Sequence, residues 1–342
     1  MTSPALDKVA RKHPRALVRV AASTALAAVL LVALGAFARV DVGDAWARTR
    51  AVNPWLLSLI CLLGCAQAWL AAEKWRLVMA GGERPRALRT DAYAFTSLGV
   101  GLSLFAPPQI ASALARAVGA RYSREASLAR GGAASLFEQL FDLAIVLAVG
   151  LAAVATFAFN GRDAMFWTML AAALAVGWIC AGLALEFARA LLSRFAERLQ
   201  PAGRLARLTT LALDSGFASG ALARRLFLLS ALRFAALVAF TAVVREVAEF
   251  DFPLWYLVAG LPLAVLASTL APTPSGLGVT EWAFAAAMTA LGAPFEAAVQ
   301  LAIVNRLLAT VVMIFVGLSG AVSAAWSQAA SRAAAPATGV SS

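Results

Sequence analysis

The chain has 342 residues, 62% of them hydrophobic and 14% charged, with mean hydropathy +0.80 and a formal net charge of +11. A water-soluble domain carries about 25% charged residues, so composition excludes one, and continuous rather than alternating apolar runs exclude a transmembrane β-barrel. The basic residues fall between the apolar runs, as the orientation rule for membrane proteins requires, which argues against nucleic acid as a partner.

The sequence predicts an all-α integral membrane protein with about six spanning helices and two broken re-entrant hairpins. Residues 1–18 read as a basic cytoplasmic tail, 19–320 as the transmembrane domain and 321–342 as a disordered tail. The first helix is expected at 19–38; it lacks a small-x-small cleavage site and so reads as a membrane span rather than a signal peptide. A second follows at 53–72, opened by Asn53-Pro54, then a short basic loop at 73–90. The run 91–106 is Gly- and Ser-rich and stops at Pro107-Pro108. Its reach of about 24 Å is marginal for a hydrocarbon core of about 30 Å. Spans at 134–158 and 164–185 come next, joined by "NGRD".

Residues 186–225 join the two halves, 19–185 and 226–320. Phe187, Leu191, Phe195 and Leu199 recur every fourth residue with arginines opposite. This is the pattern of a basic amphipathic helix on the membrane surface, with a solvated connector as the alternative. A span at 226–244 leads to the run 254–271, a broken stretch, a short run at 279–291 and a last span at 296–320. Cys61, Cys65 and Cys180 all lie in apolar segments and read as packing residues. Asp91 and Arg233 read as helix-end, interfacial charges.

Charge sets the expected orientation. With both termini in the cytoplasm, the pieces 1–19, 73–90, 107–133, 186–225 and the tail hold 22 Lys/Arg, against five in the outer loops. That asymmetry favours re-entrant hairpins over full crossings at the two short segments. It implies a cell membrane protein, inner or plasma, with several passes.

The two breaks resemble each other. "FAPPQIASALAR" ends at Arg116 and "LAPTPSGLGVTE" at Glu281, each nine residues after a proline, Pro107 and Pro272. Glu138 follows Arg116 by 22 residues, and Arg306 follows Glu281 by 25. Base then acid in one half and acid then base in the other suggest an inverted repeat, whose interrupted helices form a site near the bilayer midplane. Free amides at a half-helix start attract anions, and buried ionisable groups mark pathways or pairs. The expected binding set is Arg116, Glu138, Asp142, Ser275, Gly276, Gly278, Thr280, Glu281 and Arg306. Ser275 or Thr280 is a candidate cap for the helix that follows. Glu281 either lines the site or pairs with Arg116 or Arg306 to join the halves.

"PTPSGLGVTEWAF…LG" followed by "NRLLAT…FVGLSG" resembles the closing signature of the lysylphosphatidylglycerol synthase transmembrane region, the flippase-like family. "PPQIASALARA" and "FEQLFDL" resemble its earlier pair of motifs, and the likeness covers about 20–320. The chain departs from the family pattern at Ala111 and Ser112, which stand in place of glycines, at Gln139 in place of arginine and at Ser275 in place of glycine. The resemblance implies movement of a polar lipid between leaflets, with membrane lipids as partners. Bifunctional members continue into a soluble aminoacyl-transferase domain, whereas this chain runs about 22 residues beyond the last expected span. Lipid aminoacylation by this chain alone is therefore not expected.

One histidine, His13, no Cys/His cluster and no GxxxxGK[ST] loop give no sign of an enzyme, a metal or a cofactor. The remaining readings are a small-solute secondary transporter and a non-transporting scaffold or regulator of a lipid or cell-envelope enzyme.

Overall fold

The computed structural model describes residues 42–80, 89–122, 127–159, 163–198 and 220–333, with most of 25–38; side chains are described to 183 in the fourth block and to 327 in the last. Among these residues the chain is helical, without strands. The helices are α1 (Val42–Arg50), α2 (Pro54–Met79), α3 (Arg89–Leu102), α4 (Pro108–Tyr122), α5 (Leu128–Ala158) and α6 (Asp163–Arg198). They continue as α7 (Gly220–Val247), α8 (Leu254–Leu270), α9 (Val279–Ala290) and α10 (Phe295–Ala333). Helical residues among 25–37 precede them. The expected basic tail, 1–18, and the connector residues 199–219 lie outside the described residues, as do the side chains that would define the amphipathic face at 186–198.

Among the described residues, five helices are long and apolar enough to cross a membrane: Pro54–Met79, Leu128–Ala158, Asp163–Leu183, Gly220–Val247 and Phe295–Ser327. The expected sixth, 19–38, is described only in part. Leu62, Leu151, Phe157, Leu183, Leu228 and Leu318 are exposed on these helices, the outward apolar face that lipid requires. Local chemistry sets the ends. Asn53 accepts the Trp55 amide at 2.9 Å with Pro54 at the first helical position. Ser127 accepts the Arg130 amide at 3.3 Å and so starts α5 six residues earlier than expected.

Both short broken segments are antiparallel helical hairpins. In the first, Gly99 lies against Ser112 and Ala115, and Gly119 against Phe95. In the second, Gly260 lies against Met288 and Phe284, and Gly276 against Ser268. The sequence reads the first hairpin as 91–106 and counts 107–133 among the cytoplasmic pieces. The structure corrects this: the hairpin runs from Arg89 to Tyr122, and Pro107-Pro108 is its apex, because proline suits the first turn of the returning helix.

The long helix α10 orders the two hairpins. Near its end, Ser327 donates to the Asp91 carboxylate at 2.6 Å, and Ser319 lies 2.8 Å from the Tyr93 hydroxyl, where α3 begins. At its start, Phe295 packs on Trp282, and Gly292 approaches Tyr256, where the second hairpin opens. The hairpins therefore open at opposite ends of α10. Gly101 and Gly317 have no room for side chains: a Cβ on either would meet the other's Cα at 3.0–3.1 Å. Small residues here let α3 and α10 approach closely. The packing recurs between halves: α3 lies against α10, α8 against α5, and α2 against α7.

Two further boundaries differ from expectation. α2 runs to Met79 rather than 72, because Trp75, Val78 and Met79 are buried and Arg76 pairs with Glu73 at 2.5 Å. α10 continues to Ala333, so 321–333 is helical rather than a disordered tail. That segment is rich in alanine, the strongest helix former, and Ser327 ties it to α3.

Candidate functional site

The second break carries a buried ion pair, the returning helix of the first hairpin carries a buried charge cluster, and the breaks touch. The Ser275 amide donates to the Ala106 carbonyl at 3.4 Å, and the Ser103 and Ser275 hydroxyls reach the same Met313 sulfur at 3.5 and 3.4 Å. Met313 stands 18 residues from Phe295 and 14 from Ser327, about 27 and 21 Å along the axis. The breaks therefore meet near the middle of the longest span. Non-helical backbone at such depth persists only where protein or water surrounds it.

In the second half, Pro274–Gly276 forms one turn of 3₁₀ helix and α9 starts at Val279. Ser275 has φ +54°, Gly276 +67° and Gly278 +83°. The left-handed region favours glycine, so the serine at 275 is strained where the family pattern has glycine. Arg306 holds this turn: it pairs with Glu281, and its Nη1 and Nη2 donate to the Ser275 hydroxyl and carbonyl at 3.2 and 3.1 Å. Neither Ser275 nor Thr280 caps α9. Glu281 does, accepting the Gly278 amide at 2.6 Å, while Thr280 donates to the Gly276 carbonyl at 2.9 Å. A carboxylate three residues into the helix reaches back better than a hydroxyl and carries the charge that the helix start favours. Of the two partners open to Glu281 in the sequence, the structure selects Arg306.

The first half holds a larger set. Arg116 donates to Glu138 at 2.5 Å, to Ser135 at 3.0 Å and to Thr96 at 3.2 Å. Lys74 lies 2.7 Å from the other Glu138 oxygen, 2.5 Å from Asp142 and 3.1 Å from the Ser230 hydroxyl. Arg233 pairs with the second oxygen of Asp142. The result is an alternating chain, Arg116–Glu138–Lys74–Asp142–Arg233, that links α4, α5, α2 and α7.

Two members of that chain escape sequence reasoning. Lys74 reads as a loop residue, yet it is fully buried in α2. Its position on a continuing face with Leu70, Ala71, Trp75 and Val78 is the signal that the helix does not stop at 72. Arg233 reads as a helix-end charge, but it is residue 14 of the 28 in α7, and Asp142 draws it inward. Asp91 does sit at a helix start. Cys61 and Cys65 pack against the core, and among the described residues no group of three His, Cys, Asp or Glu is placed to hold a metal ion.

Long apolar helices, two opposed hairpins and ion pairs buried beside their breaks define a polytopic membrane protein with a polar centre. Residues 17–317 match the family described as lysylphosphatidylglycerol synthase TM region, and the chain belongs to that family. Membership makes it a multi-pass membrane protein related to lipid synthesis or lipid flipping. A comparison with curated proteins finds no match.

Proposed function

We propose that this protein carries a polar lipid between leaflets through a midplane site between its two halves, as a carrier rather than an enzyme. One observation carries the reading: the two hairpin breaks touch at mid-depth, at Ser275 and Ala106, with a buried ion pair beside the second and a buried ionic network on the helix that leaves the first. A purely structural bundle gains nothing from breaking two helices at mid-membrane, where each free backbone group costs several kcal/mol unless satisfied. The exchanged packing of α3 on α10 and α8 on α5 supports an inverted repeat, the architecture in which such breaks form substrate sites.

In this reading Arg306, Ser275, Gly276, Gly278, Thr280 and Glu281 form one wall of the headgroup site, and Arg116, Glu138 and Asp142 the other. Glu281 and Glu138 hold the arginines between substrates or meet an amine on the headgroup. Both termini lie in the cytoplasm. Lys74, Arg76 and Arg116 are buried and drop out of the 22 cytoplasmic charges, and the 19 that remain still exceed the outer five.

The scaffold reading has its own supporting observation: Arg116, Glu138, Glu281 and Arg306 already have protein partners. A regulator of a lipid or cell-envelope enzyme would use them only to hold the halves together. Reconstitution separates the two. Vesicles containing the protein should move a labelled phospholipid across the bilayer faster than empty vesicles, and equal rates would sink the carrier reading.

A further inference from the structure

The ion-pair chain that runs from Arg116 in the first half to Arg233 on α7 in the second has a cation at each end, and the ends differ. Arg116 is 2% exposed and takes hydroxyls from Thr96 and Ser135 besides Glu138. Arg233 is 36% exposed, and Asp142 engages its Nη1. Among the described residues the chain holds three cations and two carboxylates, a net charge of +1. Each carboxylate serves two cations, Glu138 those of Arg116 and Lys74 and Asp142 those of Lys74 and Arg233, so the set as a whole keeps one positive charge.

A set with a net positive charge on spanning helices cannot rest its open end against hydrocarbon. Water alone would hydrate it but leave the net charge in place. An anion on the open side of Arg233 would bring the set to three charges of each sign. The guanidinium has the geometry for this: it is a planar fork of five N–H donors, and the edge not turned to Asp142 matches two oxygens of a phosphate.

We propose that Arg233, at the open end of this chain, is the docking point for a singly charged phosphate group. Lys74 and Asp142 position the guanidinium from behind. The inference rests on the carrier reading and deepens it, because it puts the phosphate contact on an arginine of α7, outside both hairpins. A phospholipid diester and free inorganic phosphate share this chemistry, and binding measurements tell them apart.

The full-length protein, purified in neutral detergent and delipidated, is titrated with dioctanoyl phosphatidylglycerol, with dioctanoyl phosphatidylcholine and with inorganic phosphate, reading lipid retention by native mass spectrometry and the thermal midpoint. The anionic lipid should bind more tightly than the zwitterionic one, and Arg233→Gln should weaken its binding about tenfold. Stabilisation by inorganic phosphate equal to that by the anionic lipid, and lost in Arg233→Gln, would keep the site and assign it to a free anion. Unliganded Arg233→Gln retains two cations against two carboxylates and should unfold close to wild type. If it does not fold, Arg233→Lys keeps the charge without the fork and should still weaken the anionic lipid. Wild-type affinity for the anionic lipid in these variants would overturn the proposal, as would equal affinity of the unmodified protein for both lipids with no response to phosphate. Binding through Arg233 without lipid movement in vesicles would contradict the carrier reading alone.

Discussion

The two hairpins place a charge nine residues after a proline, but they hold it differently. In the second, the ion pair is local: Glu281 caps its own helix, and Arg306 grips the turn through the Ser275 hydroxyl and carbonyl. In the first, the apex at Ser103–Pro107 has no glycine, and Arg116 passes its charge through Glu138 and Lys74 to Asp142 and Arg233. One site is a neutral pair that shapes a break; the other is a positive network that ties four helices together. The difference suggests a division of labour, with the second half supplying the turn that changes shape and the first half the fixed charge.

The largest expected effect lies in the network. Glu138→Leu leaves Arg116 buried without the carboxylate that pairs with it and Lys74 with one of its two, and should destabilise by about 3–5 kcal/mol. Loss of a monodisperse detergent peak is the readout; a stable variant would break the claim that the network ties the four helices together. Gly276→Ala is next. Its Cβ would meet Thr280 Oγ1 at 2.6 Å and the Ser268 Cα at 2.9 Å, at φ +67°. A left-handed alanine alone costs about 1–2 kcal/mol, so the thermal midpoint should fall clearly. Glu281→Gln keeps one acceptor oxygen, for the Gly278 amide or for Arg306 but not for both, and should cost about 1–3 kcal/mol. Ser275→Gly is the smallest. Relief of the left-handed backbone, about 1 kcal/mol, offsets the lost Arg306 contact of similar size, so stability should stay near wild type. A large loss there would show that the serine hydroxyl holds the turn.

The sequence carries the fold class plainly, because apolar runs of spanning length have no soluble alternative. It also carries the second break, since Pro272, Pro274, Gly276 and Gly278 cannot continue a helix within nine residues. The first break is less legible: only Pro107-Pro108 marks it, and alanine-rich helix resumes at once. Lys74 and Arg233 were missed for a physical reason. A charge next to an apolar run reads as the run's end, unless partners elsewhere in the chain offset its burial, and those partners, Glu138 and Asp142, lie about 65 or more residues away in sequence. The cap on α9 was assigned to a hydroxyl because spacing alone does not reveal that Gly278 leaves the left-handed turn with its amide facing Glu281.

The central claim is that Glu281 serves transport and not only the fold. Wild type and Glu281→Gln, both monodisperse and assayed well below their thermal midpoints, are reconstituted into vesicles, and inward movement of a labelled phospholipid is followed. The account predicts a folded variant whose translocation falls to that of empty vesicles. Translocation at the wild-type rate would contradict it and leave Glu281 as a helix cap paired with Arg306.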